Sequence, residues 1–379
     1  MNLPDSPKIY DRLEQTAYTR SAVGSLSVAV IGCGALGSEA ARLLGLLGLS
    51  SVLLIDPDVV EPTNLIHSPY LLSNNVLSRF KAEILTKNLA AHFPDTSWEA
   101  LPCEIADAGF QRLQGCALLF SCTDNTLARV ETCYTAHRLQ LPVVDAGLKG
   151  RAFWSGRVAW LPGGSAACYL CQLGEARRAE LLSLSLAASQ SCSADIQDDQ
   201  ILPSTPTMAS IVAGLQVDLG LRLALTIAGS PVQACAWELS LPLPETTWHS
   251  FTIPRSADCP WHDPDDALLD LVPLPMDIVL NESLVQQSSG SDHLPQILEL
   301  DWPLCVKARC NICRHLWSPM LRLATLRRHA TCPACGSSRP HSTETLSRVA
   351  PGDPFASLTP RQLGFPSDHL FTLRRSGRP

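Results

Sequence analysis

The sequence has no excess of positive charge, no basic-then-apolar leader and no long hydrophobic run free of charge. Its 29 lysine and arginine residues are outnumbered by 36 acidic ones, giving a net charge of −7. A chain of this balance lacks the overall field that holds nucleic acid or acidic lipid, so we expect neither partner. The most apolar stretch, 208–229, contains Gln216, Asp218 and Arg222, whose cost in a bilayer predicts a buried helix of a soluble protein. Without a leader, the chain is expected to stay in the cytoplasm.

The size and composition predict more than one folded domain. With 379 residues, 46% of them hydrophobic, the chain is long and apolar enough for two or three domains. It also contains 15 cysteines. In a cytoplasmic chain of this length, paired cysteines more often hold metal or do chemistry than form a disulfide scaffold.

Strand-like and helix-like segments alternate between residues 27 and 161. The predicted strands are 27–31, 51–55, 117–121 and 142–145, and the predicted helices are 36–49, 77–92 and 126–139. This βαβ alternation predicts an α/β fold with a doubly wound, Rossmann-like parallel sheet.

Composition divides the rest of the chain. Residues 172–206 are rich in serine and alanine and show no clear periodicity, so we interpret them as a mobile excursion from the first domain, 1–262. The proline-rich and acidic residues 263–299 are interpreted as a linker. Residues 300–379 are then a second, small module with some β-structure.

The first predicted strand runs directly into a glycine-rich turn, Gly32-Cys33-Gly34-Ala35-Leu36-Gly37, and then a helix. Glycines let the backbone approach a phosphate, and free N–H groups at a helix N-terminus meet its charge. Asp56 ends the next strand, where a carboxylate suits ribose hydroxyls. The pattern therefore predicts nucleotide binding by Gly32, Gly34, Gly37 and Asp56; the alternative is a tight turn needed only for packing.

The segments that follow the turn argue against the NAD or FAD that a glycine-rich turn alone suggests. Asp56-Pro57-Asp58-Val59-Val60-Glu61-Pro62-Thr63-Asn64-Leu65 leads to Lys81-Ala82-Glu83 on a helix, then to Ser121-Cys122-Thr123-Asp124-Asn125 after a strand. In order and spacing these segments closely resemble the E1-like (ThiF/MoeB) adenylyltransferase superfamily over about residues 8–262. The resemblance implies an enzyme that uses ATP and Mg²⁺ to join AMP to the C-terminal glycine of a ubiquitin-like or sulfur-carrier protein.

The resemblance also implies roles for single residues. Lys81 matches the family's phosphate-contacting lysine, and Asp124 its catalytic, Mg²⁺-coordinating aspartate. Arg12 matches the arginine that reaches into the partner subunit's site. The rest of the implied nucleotide-binding set is Asp58, Asn64, His67 and Asn125. Taken one by one, such residues are also ordinary helix, cap and loop residues.

One position departs from the family's pattern. His67 stands where the family has arginine. An imidazole with an ordinary pKa of about 6.5 is mostly neutral at pH 7, so phosphate binding loses a positive charge there. Arg79 could supply it.

The cysteine in Ser191-Cys192-Ser193 lies inside the excursion. In the family this excursion crosses over the bound carrier tail, and a cysteine at this place can take the activated acyl group. The resemblance thus makes Cys192 the candidate nucleophile, with a spectator thiol as the alternative.

Two cysteine patterns predict structural zinc. Cys310-x₂-Cys313-x₁₈-Cys332-x₂-Cys335 is typical of a zinc ribbon. Earlier, Cys168-x₂-Cys171 and Cys259-x₂-His262 offer two close ligands from each of two distant segments, which suits tetrahedral Zn²⁺. The family has a structural zinc at the second set, usually with four cysteines; free thiols packed in a core are the alternative.

Together these features predict an E1-like enzyme, expected as a homodimer. It would adenylate a β-grasp carrier protein and then form a thioester on Cys192, as in bacterial ubiquitin-like conjugation. The zinc-ribbon module would dock the carrier or an E2-like partner. The alternatives are a sulfur-carrier adenylyltransferase for thiamine or molybdopterin synthesis, a tRNA-modifying dehydratase of the same superfamily, an NAD-dependent oxidoreductase and a non-catalytic scaffold.

Overall fold

The structure, a computed structural model, describes residues 10–66, 68–72, 76–148, 154–186, 205–226, 233–241, 245–262, 269–286, 296–338 and 340–375. The chain forms two compact units. The first comprises residues 1–108, 113–173 and 197–261, and the second 109–112, 174–196 and 262–379.

The first unit is built on an eight-stranded sheet. Its strands are β1 Ser27–Ile31, β2 Ser51–Ile55, β3 Ser97–Leu101, β4 Leu118–Ser121, β5 Val143–Leu148, β6 Ser155–Leu161, β7 Cys235–Ser240 and β8 Thr247–Thr252. Their order is β3-β2-β1-β4-β5-β6-β7-β8. The pairs from β3 to β5 are parallel, whereas β6, β7 and β8 add on antiparallel. The predicted doubly wound α/β fold is confirmed, with an antiparallel extension.

The helices described up to residue 224 are α1 Arg20–Val23, α2 Ala35–Leu47, α3 Lys81–His92, α4 Phe110–Leu113, α5 Thr126–Leu139, α6 Glu175–Leu186 and α7 Pro206–Ala224. Of these, α2, α3, α5 and α7 contact strands of this sheet, whereas α6 belongs to the second unit and α4 lies at the division between the two. Among the described residues, α7 alone is long and apolar enough to span a membrane. One face of α7 is buried and packs against α2 and the strands.

Helix α6 corrects the interpretation of 172–206. We expected no regular structure there, but Glu175–Leu186 is helical. Its sequence EARRAELLSLSL consists mostly of good helix formers, and an ion pair joins Arg177 and Glu180 at 2.8 Å. The helix was missed because serines interrupt its apolar spacing. Residues 187–204, including Cys192, lie outside the described residues.

The interpretation of 263–299 as a linker is wrong for its described part. Strand β9 Leu269–Pro273 pairs with β14 Leu370–Arg375, and α8 Leu280–Gln286 buries Leu280 and Leu284 completely. The prolines and acidic residues of this stretch made the two short elements hard to predict. The apolar positions of these elements also gain packing partners only from the distant end of the chain.

A second sheet organises the C-terminal unit. Beside β9 and β14 it contains β10 Gln296–Arg309, β11 Leu316–Trp317, β12 Leu321–Arg322 and β13 His341–Val349, and α9 Leu323–His329 follows β12. Long strand β10 is central, since β11, β12, β13 and β14 all pair with it antiparallel.

Candidate functional site

The glycine-rich turn lies at the carboxyl end of β1 and opens α2. Gly32 has a φ of +93°, and a Cβ on Gly37 would lie 1.7 Å from the Gly32 carbonyl oxygen. Only glycine fits at these two positions. Gly34, the N-cap residue of α2, has no atom within 4 Å of a built Cβ. The space over Gly34 is therefore open, and an anion entering it meets the free N–H groups of the first turn of α2.

Asp56 holds this turn against β2. Its two carboxylate oxygens accept hydrogen bonds from the backbone N–H groups of Cys33 at 2.5 Å and Asp58 at 2.8 Å. Burial raises the pKa of Asp56 to about 6, even though the charge of Lys81 works in the opposite direction. In this structure Asp56 organises the backbone around the predicted phosphate site; its contact with ribose stays a prediction.

Lys81 begins α3 and is tied to the segment after β2. Its Nζ lies 2.8 Å from an Asp58 carboxylate oxygen, and its backbone N–H donates to the Asp58 carbonyl at 2.8 Å. Burial works to lower the pKa of Lys81, but the nearby carboxylates, Asp56 foremost, outweigh it and the pKa is raised. Asp124 is another of these carboxylates. Lys81 is thus a buried, charged ammonium whose partner Asp58 faces solvent.

Asp124 and Asn125 form the turn between β4 and α5. Asp124 is exposed, and the side-chain oxygen of Asn125 caps α5 by accepting from the N–H groups of Leu127 and Ala128 at 2.8 and 3.2 Å. This turn touches the glycine-rich turn, since a Cβ on Gly32 would lie 2.8 Å from the Cys122 carbonyl oxygen. Both turns lie at the switch between β1 and β4, where open α/β sheets bind ligands.

The remaining predicted site residues are more scattered. Asn64 closes a capping box in the 3₁₀ helix Pro62–Asn64, its side-chain oxygen accepting from the Glu61 N–H at 2.9 Å. Arg12 is exposed. Two residues before it, Tyr10 packs under the guanidinium of Arg20, which donates to the carbonyl of Gly48 at the C-terminal end of α2.

The position of Arg12 separates it from its own chain's turn. Helix α2 has 13 residues, so its two ends lie about 20 Å apart. The segment around Arg12 is anchored at one end and the glycine-rich turn lies at the other. His67, like Cys192, lies outside the described residues.

A buried polar group behind the Asp124 turn was not predicted. It consists of Ser121 on β4, Asp145 on β5, Arg129 on α5 and Gln216 on α7. The polar residues at the ends of two neighbouring apolar strands were the available signal.

The first predicted zinc set comes together. The ligand atoms of Cys168, Cys171, Cys259 and His262 all lie within 4.8 Å of one another. The Cys168 sulfur lies 3.7 Å from that of Cys171 and 3.5 Å from that of Cys259. Tetrahedral Zn²⁺ with Zn–S bonds of about 2.3 Å would separate its sulfurs by about 3.8 Å. The spacing fits zinc and excludes a disulfide, whose S–S bond is about 2.05 Å.

The second predicted set also comes together. The sulfurs of Cys310, Cys313, Cys332 and Cys335 lie within 4.8 Å of one another, with Cys310–Cys335 and Cys313–Cys332 both at 3.6 Å. Cys310 and Cys313 form a knuckle between β10 and β11, and Cys332 and Cys335 form another after α9. Both four-ligand groups could hold zinc.

Comparison with known proteins agrees with this fold. The model of the ThiF family matches residues 15–261, well over half of the chain. Similar proteins include ubiquitin-like modifier-activating enzyme 5 of Arabidopsis thaliana, 26% identical over 220 residues (54% of this chain, 48% of that protein). The same-named protein of Oryza sativa subsp. japonica is 27% identical over 213 residues (52% and 48%). The chain spans about half the length of the curated relatives it matches.

Solved structures show the same fold at low identity. E. coli MccB with ATP aligns with a TM-score of 0.53 at 17% identity, covering 69% of this chain and 75% of that one. The microcin C7 biosynthetic enzyme MccB in complex with N-formylated MccA aligns with a TM-score of 0.54 at 17% identity, covering 69% and 77%.

Proposed function

Because this chain belongs to the ThiF family of E1-like proteins, we propose that it adenylates the C-terminal glycine of a ubiquitin-like protein with ATP and Mg²⁺. The observation that carries this proposal is the meeting of three features at the switch between β1 and β4. They are the open turn at Gly34, the buried ammonium of Lys81 and the exposed carboxylate of Asp124. A hydride-transferring enzyme needs neither of the two side chains.

The reaction brings two anions together. A carboxylate oxygen of the carrier bonds to the α-phosphorus of ATP, the bond from that phosphorus to the bridging oxygen breaks, and pyrophosphate leaves. The N–H groups of the residues after Gly34 would hold phosphate oxygens. Lys81 would leave its exposed partner Asp58 and contact a phosphate oxygen as well. Asp124 would hold Mg²⁺, which offsets the triphosphate charge when bound.

The proposed second step is transfer to a thiol. The Cys192 sulfur attacks the acyl-adenylate carbonyl, a thioester forms, AMP leaves, and the thiol proton passes to solvent. This step rests on the resemblance alone. If Cys192 is a spectator, the same adenylation serves a sulfur carrier, which is the alternative function.

An apolar surface next to the site supports a homodimer. Val59 and Phe80 pair through an isolated antiparallel bridge, and both are exposed, as are Ile66 and Leu77 on the same connection between β2 and α3. Exposed apolar residues clustered in this way mark an interaction surface. A second copy is the proposed partner, because Arg12 is anchored far from its own turn and needs a neighbouring site to act on ATP.

The C-terminal unit is the proposed docking module. Ile312, 74% exposed, lies at the tip of the first knuckle, and Leu316 is exposed on β11 directly opposite exposed Arg309. Apolar side chains beside a cation suit an acidic protein surface, either the carrier or an E2-like protein.

The decisive experiment uses Asp124→Asn in the full chain. We expect carrier-dependent ATP–pyrophosphate exchange, measured with a purified β-grasp protein that ends in glycine, to fall by about 100-fold or more. The matched control is Glu83→Gln, which removes an exposed carboxylate from the first turn of α3 and should leave the rate unchanged. Full exchange in Asp124→Asn, or no Mg²⁺-dependent ATP binding by the unaltered chain, would refute the proposal.

A further inference from the structure

The turn that carries Asp124 rests on the guanidinium of Arg129. Arg129 lies in the first turn of α5, and its Nη2 donates to the Thr123 carbonyl oxygen at 2.7 Å. Its Nε lies 3.0 Å from a carboxylate oxygen of Asp145 on β5. The same oxygen of Asp145 accepts from the Ser121 hydroxyl on β4 at 2.8 Å. Arg129 thus joins the Asp124 turn to β5 directly and to the end of β4 through Asp145.

The Thr123 carbonyl matters because of peptide geometry. The carbonyl of Thr123 and the N–H of Asp124 belong to one planar peptide group. A hydrogen bond that fixes the carbonyl therefore fixes the direction in which the chain enters Asp124. On the other side of Asp124, the Asn125 cap fixes the start of α5. The exposed Asp124 is left on a short turn that is held at both ends.

Burial makes the Arg129 contacts stiff. The Asp145 side chain is 4% exposed, so the ion pair lies mostly out of water, where breaking one partner is costly. Tyr169 adds a hydrogen bond to the guanidinium and is itself buried beside Cys168. The predicted zinc knuckle therefore supports Arg129 from behind.

The strand ends are also held from α7. The Gln216 side chain, fully buried, donates to the carbonyl oxygens of Ser121 at 3.0 Å and Val144 at 2.8 Å. Its side-chain oxygen accepts from the Cys122 thiol at 3.3 Å. Gln216 thus fixes the end of β4 and the neighbouring part of β5, while among these side chains Arg129 is the one that bonds the backbone of Thr123.

We propose that Arg129 is a positioning residue for adenylation, which sets the direction of Asp124 and so the affinity of the site for Mg²⁺. The proposal rests on the proposed function. Lysine keeps the charge of arginine but has one nitrogen in place of the planar fork, so it holds Asp145 and the Thr123 carbonyl less firmly in one geometry. Arg129→Lys should therefore release the turn while keeping a cation beside Asp145.

The test measures two properties of the full-length Arg129→Lys chain. Hydrogen exchange of the amides at 124–128 should accelerate at least tenfold, while the amides of β1 keep their rates. The Mg²⁺ concentration at half-saturation of ATP binding should rise at least tenfold, while ATP affinity without Mg²⁺ stays constant. Arg138→Lys, in the last turn of the same helix, is the control and should change neither.

The outcomes separate the proposal from the function on which it rests. Unchanged exchange at 124–128, or an unchanged Mg²⁺ requirement, overturns the role of Arg129. A uniform loss of protection over the whole unit also overturns it, because Arg129 would then serve only stability. If the unaltered chain shows no Mg²⁺-dependent ATP binding, the proposed function fails and with it the Mg²⁺ role, whereas the exchange rates still decide whether Arg129 holds the turn.

Discussion

The open space over Gly34 makes a sharp prediction about nucleotide binding. In Gly34→Ala the added methyl group meets no protein atom within 4 Å, so the folded backbone has no reason to move. The methyl instead occupies the space from which a phosphate would approach the N-terminus of α2. A hydrogen bond to a charged group contributes about 1.5–3 kcal/mol, so blocking one should weaken ATP binding by about 10- to 150-fold.

The stability of Gly34→Ala should change little. Alanine is a poorer N-cap residue than glycine, by up to about 1 kcal/mol. It also restricts the unfolded chain, which returns about 0.4–1 kcal/mol. These effects nearly cancel, so we expect a melting temperature within about 4 °C of the original. Gly37→Ala is the contrast, because its Cβ would overlap the Gly32 carbonyl oxygen and should unfold the turn.

The assay is titration calorimetry with Mg²⁺-ATP, paired with thermal melting of the same samples. The control is Gly214→Ala in α7, where a Cβ also has open space. It should gain about 0.5–1 kcal/mol of stability and bind ATP normally. Unweakened ATP binding by Gly34→Ala would show that the phosphates do not approach this turn, and the argument from its geometry would be wrong.

Four further predictions follow from the sites. Elemental analysis should find two zinc ions per chain, and Cys310→Ser should lose one; loss of both would contradict independent sites. Because burial raises the pKa of Asp56 to about 6 from 3.8, its contribution to stability should fall by about 2 kcal/mol as pH rises from 4 to 7. Urea unfolding across this pH range should show a smaller fall in the free energy of unfolding for Asp56→Asn than for the unaltered chain. An equal fall would assign the pH dependence to another group. Cys192→Ala should keep pyrophosphate exchange and lose the reductant-sensitive carrier adduct, and a persisting adduct would identify another nucleophile. Arg12→Ala mixed with Asp124→Ala should recover part of the exchange that each lacks alone, since each mixed dimer would contain one intact composite site; no recovery in verified heterodimers would argue against action across subunits.

The parallel sheet and its turn were predictable because local patterns determine them. Strands β1 and β2 are short apolar runs buried in the core. The turn requires glycine at Gly32 and Gly37 for steric reasons, and the spacing of these glycines can be read from the sequence. The ion pair of Arg129 with Asp145 was not predictable. The two residues lie on different elements, and only the packing of α5 on β5 brings them together.

Two asparagines show why a motif alone underdetermines a site. Asn64 and Asn125 were interpreted through the resemblance as nucleotide-binding residues. In the structure, the side-chain oxygen of each accepts a capping hydrogen bond from a backbone N–H. The amide nitrogen of each side chain is a separate donor group. A cap therefore orients the side chain without consuming its donor, so the capping and binding interpretations are compatible, and removing either asparagine would test both at once.

In the C-terminal unit, we expect apolar packing and metal ligation to stabilise different parts of the fold. The main core of this unit includes fully buried Leu280 and Phe371. The knuckle region has a smaller cluster, with Cys305, Leu323 and Leu326 among its few buried members. Because hydrophobic stabilisation scales with buried apolar area, that cluster alone is weak. Removing zinc should therefore loosen the knuckles and α9 while the sheet around β10 and β14 keeps its fold.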